Sequence, residues 1–169
     1  KKIQSINAVK RIESIFLDKE LELFKKYDKK SYDDYMNYIP NFKSLWLNDN
    51  NLTTLPKSIT NLTNLERLWL SKNKLTTLKG ISNLKNLEML DLSNNELTTL
   101  KGIDKLTNLK FLSLYGNELT SLPDSIGNLK NLEIMDLRGN PITIDDAYKN
   151  KKEIERIKKL LPNTNISTF

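Results

Sequence analysis

One segment of eleven residues occurs five times in this chain of 169 residues, and it limits the possible folds more than any other feature. Its pattern is L-x-x-L-x-L-x-x-N-x-L. The copies begin at Phe42, Leu65, Leu87, Leu109 and Leu132, so the spacing between successive copies is nearly constant. Such regular spacing excludes chance. A unit of this length cannot bury its apolar side chains alone, so the copies must stack around one continuous core.

The alternation of side chains within each copy predicts a short β-strand. Side chains two residues apart lie on the same face of a strand, so the fourth and sixth positions face the interior together. These pairs are Leu45/Leu47, Leu68/Leu70, Leu90/Leu92, Leu112/Leu114 and Met135/Leu137. Stacked copies align their strands in a parallel sheet. The sequence therefore predicts an α/β repeat solenoid over residues 42–144.

The ninth position of every copy is asparagine. The five residues are Asn50, Asn73, Asn95, Asn117 and Asn140. The chain leaves the strand at this point and exposes backbone groups to a dry interior, where a carboxamide can both donate and accept hydrogen bonds. We predict an internal structural ladder of asparagines. On this interpretation Asn50→Ala should cost on the order of 1–3 kcal/mol.

These copies and the segments between them resemble the leucine-rich repeat family. The connecting patterns L-P-x-x-I-x-N-L, over residues 55–62 and 122–129, and L-K-G-I-x-x-L, over 78–84 and 100–106, are typical of it. The spacing is similar to that of bacterial members with repeats of roughly 22–23 residues, which include adhesins and internalins. The resemblance implies a horseshoe or arc with short parallel strands on its concave face and helical N- and C-terminal caps.

The segment before the repeats is predicted to be a cap, because an open stack must shield its first coil. Residues 1–41 lack the repeat, and we interpret them as a mainly helical N-terminal cap. Ile12, Ile15 and Leu17 match the first, fourth and sixth positions of the pattern. Residues 12–17 can therefore form a degenerate edge strand.

The segment after the repeats, residues 145–169, is predicted to be a C-terminal cap. We expect a helix that ends near Leu160 before Pro162, followed by a tail. The apolar residues of this helix lie on one face, and four lysines lie on the other. We interpret those lysines as a solvated surface.

The positions beside the strand leucines hold the candidate binding residues. In a leucine-rich repeat arc, the third, fifth and seventh positions of the copies form the concave face. The candidates are Trp46, Arg67, Trp69, Met89, Asp91, Phe111, Tyr115, Ile134, Asp136 and Arg138. Adjacent strands lie about 4.8 Å apart, so Trp46 and Trp69 should stack. Exposed aromatic and arginine side chains are typical of protein-binding surfaces, although cross-strand packing alone is the alternative explanation.

The composition excludes several kinds of chemistry. The chain has no cysteine and no histidine, which excludes disulfides, thiolate or histidine catalysis and metal sites built from these residues. Its net charge of +6 comes from 23 lysines and 4 arginines, and with 21 asparagines this matches the bias of an AT-rich genome. The two aspartates among the aromatic candidates disfavour nucleic acid. We expect no catalytic residue, no cofactor and no metal site.

No stretch of the sequence approaches the roughly 18 apolar residues of a membrane span. The chain begins at Lys1 rather than Met, so we expect that an N-terminal segment was removed. A signal peptide in that segment would be compatible with this sequence.

These observations predict a non-enzymatic protein-interaction module. The family resemblance favours a bacterial secreted or surface protein that engages a host or surface protein. The alternatives are an intracellular scaffold or regulator that docks a signalling enzyme, and the recognition region of a larger multidomain effector. We expect a monomer, with self-association through the concave face as the alternative.

Overall fold

The computed structural model describes residues 43–144 and 147–168, in which the five copies form one parallel sheet. Its strands are β1 (Ser44–Trp46), β2 (Arg67–Trp69), β3 (Met89–Asp91), β4 (Phe111–Ser113), β5 (Ile134–Asp136) and β6 (Asn165–Ser167). The strands pair in chain order, and β1 to β5 align equivalent positions of the copies. This register confirms the predicted repeat solenoid. The N-terminal cap predicted over residues 1–41, with its edge strand at 12–17, lies outside the described residues.

The core is a column of leucine and isoleucine side chains behind the sheet. In the second copy and its return segment these side chains are Leu65, Leu68, Leu70, Leu75, Leu78, Ile81 and Leu84, and none is more than 2% exposed. Burial of each such side chain contributes roughly 1.5–3 kcal/mol, which offsets the conformational entropy lost on folding. Stacking therefore supplies the stability that one copy lacks.

The return segments contain 3₁₀ helices of two lengths. The longer ones are Lys57–Asn61 and Asp124–Asn128, and the shorter ones are Ile81–Asn83 and Ile103–Lys105. The longer helices follow the L-P pattern, and the shorter ones follow L-K-G. Gly80, with φ +96°, precedes one of the shorter helices in a conformation that glycine adopts without a Cβ clash. The copies that contain a longer helix are one position longer than those that contain a shorter one.

Two α-helices close the repeats: α1 (Pro141–Ile144) begins at the end of the last copy, and α2 (Ala147–Leu160) follows it. Helix α2 covers the last coil with Ile157, which is fully buried, while Leu161 just beyond its end is 3% exposed. Its outer lysines, among them Lys151 and Lys158, are exposed. The helix is amphipathic in the way that a cap requires.

Arg156 fastens α2 to the last return segment. Its guanidinium donates to both carboxylate oxygens of Glu153, at 2.8 and 2.6 Å. It also donates to the carboxylate of Asp124 and to the carbonyl of Leu122. Glu153 in turn accepts a hydrogen bond from the backbone N–H of Leu122, at 3.2 Å. The hydrogen bonds to Arg156 lower the pKa of Glu153.

Strand β6 lies where the sequence analysis expected a tail. Ile166 pairs with Met135 of β5, and Thr168 is buried two residues further along. The distance along the chain from β5 to β6 is longer than one repeat, because α1 and α2 lie between the two strands. A search for leucines at the interval of the repeat therefore misses this strand.

Candidate functional site

The outward side chains of the sheet form rows that cross its strands. At β1 and β2, Ser44 lies beside Arg67 and Trp46 lies beside Trp69. The third, fifth and seventh positions of the copies each form one row. Strand β6 adds Asn165 and Ser167 to the first two rows. This outer surface is the predicted concave face, and we keep that name below.

Trp46 and Trp69 stack at the N-terminal end of the concave face. Their ring centroids lie 4.7 Å apart, and the ring planes differ by 4°. The predicted stacking is therefore confirmed, and it follows from the spacing between adjacent strands. Trp46 is nevertheless 47% exposed. A neighbouring ring supports this indole while much of its surface remains available to a partner.

An apolar row crosses the centre of the face. Met89, Phe111 and Ile134 occupy the third position on three adjacent strands. Met89 and Phe111 are half-buried, whereas Ile134 is 43% exposed. Arg67 on β2 and Asn165 on β6 continue the row at its two ends, and both are exposed. The apolar strip is thus three strands wide and is bordered by groups that can form hydrogen bonds.

Asp136, Arg138 and Tyr115 form one unit at the C-terminal end of the face. Arg138 donates from Nε to Oδ1 of Asp136 at 3.0 Å, and from Nη2 to Oδ2 at 2.7 Å. Its guanidinium carbon lies 5.8 Å from the centroid of the Tyr115 ring. The hydrogen bonds from Arg138 lower the pKa of Asp136. The two hydrogen bonds to Asp136 and the contact with the Tyr115 ring hold the long Arg138 side chain in one orientation. A fixed orientation favours specific recognition of a ligand.

The fifth-position aspartates also stabilise their own turns. Asp91 Oδ1 accepts hydrogen bonds from the backbone N–H of Ser93 at 2.9 Å and from its Oγ at 2.6 Å. Asp136 Oδ1 likewise accepts from the backbone N–H of Arg138 at 3.0 Å. Between them on β4, Ser113 is 9% exposed. The position of Asp91 is therefore explained without a partner.

Four of the ninth-position asparagines form a buried ladder. Asn95 donates from Nδ2 to the carbonyls of Leu70, on the preceding coil, and Leu92, on its own coil, both at 3.0 Å. Its Oδ1 accepts from the backbone N–H of Leu75 at 3.0 Å. The same three kinds of bond recur at Asn73, Asn117 and Asn140. Each asparagine thus joins two coils.

The prediction of a buried ladder asparagine is wrong for Asn50. This residue is exposed, and its Nδ2 donates to the carbonyl of Asn48 in its own turn at 2.9 Å. A ladder asparagine donates to the coil before it, and no coil precedes the first copy in the part of the chain that the structure describes. The loss of stability expected for Asn50→Ala therefore no longer follows.

Sequence analysis missed a second row of asparagines. Each lies directly before the first leucine of a copy and donates from Nδ2 to a carbonyl of the preceding coil. The pairs are Asn86 with Thr63 at 2.9 Å, Asn108 with Lys85 at 3.1 Å and Asn131 with Thr107 at 2.9 Å. The recurring dipeptide N-L was the available signal. This second row is exposed. It joins the coils before the strands begin, whereas the asparagine ladder joins them after the strands end.

Charged residues at the second position border the concave face. Lys43 pairs with Glu66 at 2.6 Å, and Lys110 pairs with Glu88 at 3.0 Å. The hydrogen bond from Lys43 lowers the pKa of Glu66. These pairs are exposed and contribute little to stability. They place opposite charges on adjacent copies, so this border carries no strong field of either sign.

Charge is distributed unevenly over the molecule. The second, third, fifth and seventh positions of the copies include Lys43, Arg67, Lys110 and Arg138 against Glu66, Glu88, Asp91, Glu133 and Asp136. Helix α2 contains six basic residues and two acidic ones. The net charge of +6 therefore does not arise on the concave face, which lacks the basic stripe of a nucleic-acid site.

Two other kinds of site are absent from residues 43–144 and 147–168. No group of acidic side chains there is arranged to hold a metal ion. None of the helices in these residues combines the length and apolarity needed to cross a bilayer.

The family model for leucine-rich repeats in two copies matches the chain four times, over residues 40–83, 63–105, 85–128 and 107–150. Together these matches span more than half of the sequence. No curated protein is a significant match.

Several solved structures are similar to this one. A leucine-rich repeat protein of Leptospira interrogans is 49% identical, with a TM-score of 0.67, over 74% of this chain and 31% of that protein. InlP of Listeria monocytogenes is 35% identical, with a TM-score of 0.54, over 60% of this chain and 29% of its own. The ectodomain of the receptor kinase SOBIR1 of Arabidopsis thaliana is 33% identical, with a TM-score of 0.50, over 57% and 56%. The chain thus spans about a third of each bacterial structure and just over half of the plant one.

Proposed function

The chain belongs to the leucine-rich repeat family, and we propose that it is a non-enzymatic protein-interaction module whose concave face binds a protein partner. One observation carries the proposal. Three large apolar side chains are strongly exposed among the described residues, namely Trp46, Tyr115 and Ile134, and all three belong to the rows of the concave face. Aromatic and aliphatic anchors beside an arginine are the usual composition of protein-binding hot spots.

The dimensions of the face indicate what part of a partner would fit. Six strands span five intervals of about 4.8 Å, or roughly 24 Å. A single helix, a loop or the edge of a small domain would cover this width. A standard interface buries about 800 Å² on each partner, so the surfaces beside the sheet would contribute as well.

We propose that the protein acts at a bacterial surface or after secretion, on a host or surface protein. Its similarity to leucine-rich repeat proteins of Leptospira interrogans and Listeria monocytogenes supports the bacterial part of this proposal. An intracellular scaffold that docks a signalling enzyme and the recognition region of a larger effector remain the alternatives. A signal peptide encoded upstream of Lys1 would support export and would argue against the intracellular alternative.

Selection of a displayed random-peptide library on the folded chain tests the concave face. Ile134→Glu and Tyr115→Glu place charge on this face at exposed positions. Thr99→Glu is the matched control, because Thr99 is exposed but follows the strand and turn of its copy. We expect most selected peptides to bind the two concave variants at least tenfold more weakly and the control unchanged. Peptides that bind all three variants equally would contradict the proposal.

Self-association through the same face is the alternative use of its apolar residues. Trp46 and Trp69 are the only tryptophans, so tryptophan emission reports on the concave face directly. A monomer with a vacant face predicts acrylamide quenching that is independent of protein concentration. Protection that appears only at high concentration would indicate that copies of the chain pair through this face.

A further inference from the structure

The return segments carry positive charge that the concave face lacks. They are residues 53–64, 76–86, 98–108 and 120–131. Together they contain six lysines, two aspartates and no glutamate. Both aspartates already have partners, because Asp104 pairs with Lys105 at 3.2 Å and Asp124 pairs with Arg156. A compositional bias toward lysine would affect all surface positions alike, so it does not explain why this side of the copies is basic and the concave face is not.

Three of these lysines occupy the same position on three adjacent coils. Each lies two residues before the buried isoleucine of its 3₁₀ helix. The pairs are Lys57 with Ile59, Lys79 with Ile81 and Lys101 with Ile103. We call the three lysines the lysine row. All three are exposed, and none forms an ion pair with another residue in the ranges 43–144 and 147–168. The fourth copy has Asp124 at this position, so the row covers copies 1 to 3.

The lysine row brings like charges onto neighbouring coils. Adjacent return segments approach closely, since a Cβ added to Gly80 would lie only 3.3 Å from Cγ2 of Thr60 on the preceding coil. Like charges at equivalent positions of adjacent elements repel each other, and no carboxylate within the described part of the chain neutralises these three. A bound anion would relieve the repulsion. To contact all three lysines it must extend across three coils, as a linear polyanion does.

Amide groups accompany the lysine row. Two residues after the same isoleucines, the first two copies have Asn61 and Asn83, and the third has Lys105. Asn61 and Asn83 are exposed, and their side chains form no hydrogen bond within the described residues. A carboxamide can both donate and accept hydrogen bonds. The first two coils therefore each offer a ligand one positive charge and one amide.

The other features of the return segments disfavour nucleic acid and membranes. These segments contain no phenylalanine, tyrosine or tryptophan, so nucleic-acid bases have no ring on which to stack. The three large apolar side chains that are strongly exposed in the described residues all lie on the concave face, so lipid acyl chains have no anchor here. Lysines are point charges and lack the planar fork with which arginine pairs with phosphate. Point charges beside amides match a polymer that carries both anionic groups and hydroxyl groups.

We propose that the return segments of copies 1 to 3 bind a linear anionic polysaccharide that runs across the coils along the lysine row. Lys57, Lys79 and Lys101 pair with successive sulfate or carboxylate groups of this polymer. Asn61 and Asn83 form hydrogen bonds with its sugar hydroxyls. This surface is separate from the concave face, so the inference does not depend on a protein partner there.

Titration of the full chain with heparin, used as a sulfated polysaccharide probe, tests the lysine row. Lys79→Gln with Lys101→Gln removes two charges from the row. Lys151→Gln with Lys158→Gln removes two charges from exposed positions of α2 and is the matched control. We expect the row variant to bind heparin roughly fivefold more weakly and with a shallower salt dependence, and the control to change by less than about twofold. Equal losses would overturn the proposal, because net charge alone would then explain binding. Failure to bind heparin at physiological ionic strength would overturn it as well.

An uncharged substitution tests the contacts with sugar hydroxyls. Asn83→Ala should weaken heparin binding by roughly threefold and leave its salt dependence unchanged, because hydrogen bonds are lost but no charge is removed. Asn128→Ala is the matched control, since Asn128 is exposed at the same position of the fourth copy, beyond the lysine row. It should leave binding unchanged. Equal effects of the two substitutions, or no effect of Asn83→Ala, would contradict these contacts. Circular dichroism checks that each variant is folded.

A comparison of probes tests the class of polyanion. Polyglutamate, duplex DNA and vesicles of phosphatidylserine and phosphatidylcholine are titrated at the same concentration of negative charge as heparin. We expect each of the three to bind roughly tenfold more weakly than heparin. Tighter binding of one of them that is lost in the row variant would overturn the polysaccharide assignment, and would instead identify an acidic protein, a nucleic acid or a membrane as the ligand of this surface.

Discussion

The inward and outward faces of the strands differ in how much their residues vary from copy to copy. The inward residues of β2 to β5 are nearly identical from copy to copy and almost completely buried. The outward residues on the same strands differ in character: at the fifth position the sheet has Trp69, Asp91, Ser113 and Asp136 in succession. Stacking requires the same inward side chains in every coil, whereas solvent imposes no such requirement. The repeated inward residues therefore identify the fold, and the variable outward residues identify the surface that can carry a function.

Adjacent residues of β5 give the largest expected effect. Met135 is fully buried, and Ile134 is 43% exposed. Met135→Ala should lower the free energy of unfolding by about 2–5 kcal/mol, because it leaves a cavity that the stack cannot close. Ile134→Ala should change it by less than about 1 kcal/mol. Urea unfolding of both variants measures the difference, and similar losses would contradict the division between the two faces.

The asparagine ladder extends the comparison to polar residues. Asn95→Ala leaves the N–H of Leu75 and two carbonyls without their side-chain partner, so we expect a loss of about 2–3 kcal/mol in unfolding free energy. Asn50→Ala should cost less than about 0.5 kcal/mol, because its side chain is exposed and serves its own turn. Both variants can be measured by thermal and urea unfolding. Equal losses would mean that Asn50 also joins two coils.

The C-terminal cap lies outside the repeats. The charged side chains of Glu153 and Arg156 help to attach its helix α2 to the last return segment. The folded-state pKa of Glu153 is lowered by its hydrogen bonds with Arg156. The resulting stability is fully present above the unfolded-state pKa of about 4.3 and is lost as the pH falls through the lower folded-state value.

Glu153→Gln should therefore reduce the unfolding free energy by about 1 kcal/mol at pH 7. The difference from the unsubstituted chain should shrink progressively below about pH 4. Glu155→Gln, on the exposed side of the same helix, is the matched control. A difference for Glu153→Gln that is the same at pH 7 and pH 3 would show that the carboxylate charge is not involved.

Sequence predicts most of this fold because the inward pattern is repeated. The strand register, the buried leucines and the stacking of Trp46 on Trp69 all follow from positions in one consensus. Strand β6 does not, since helices interrupt the spacing and Ile166 is its one aliphatic residue. The exposure of Asn50 also escapes the pattern, because a consensus does not distinguish the first coil from the others.

The arrangement within the candidate site is less predictable. Sequence positions bring Tyr115, Asp136 and Arg138 near one another, but the two-point hydrogen bond and the ring contact depend on side-chain conformations. Asp91 shows the opposite case. Its outward position suggested a contact with a partner, whereas its carboxylate is occupied by Ser93. Local hydrogen bonds decide which outward residues are available, and a consensus does not contain them.

The eighth position combines a repeated backbone with side chains that vary. It has positive φ in every copy, in Asp49, Lys72, Asn94, Gly116 and Gly139, at values from 54° to 71°. Glycine, asparagine and aspartate adopt this left-handed conformation most readily, so Lys72 is the unfavourable choice. Lys72→Asn should raise the unfolding free energy by roughly 0.5 kcal/mol. Lys74→Asn, at an exposed position nearby without positive φ, is the control and should not raise it. If both substitutions change the free energy of unfolding equally in urea, the loss of a lysine charge is responsible. The positive φ at Lys72 would then carry no measurable cost.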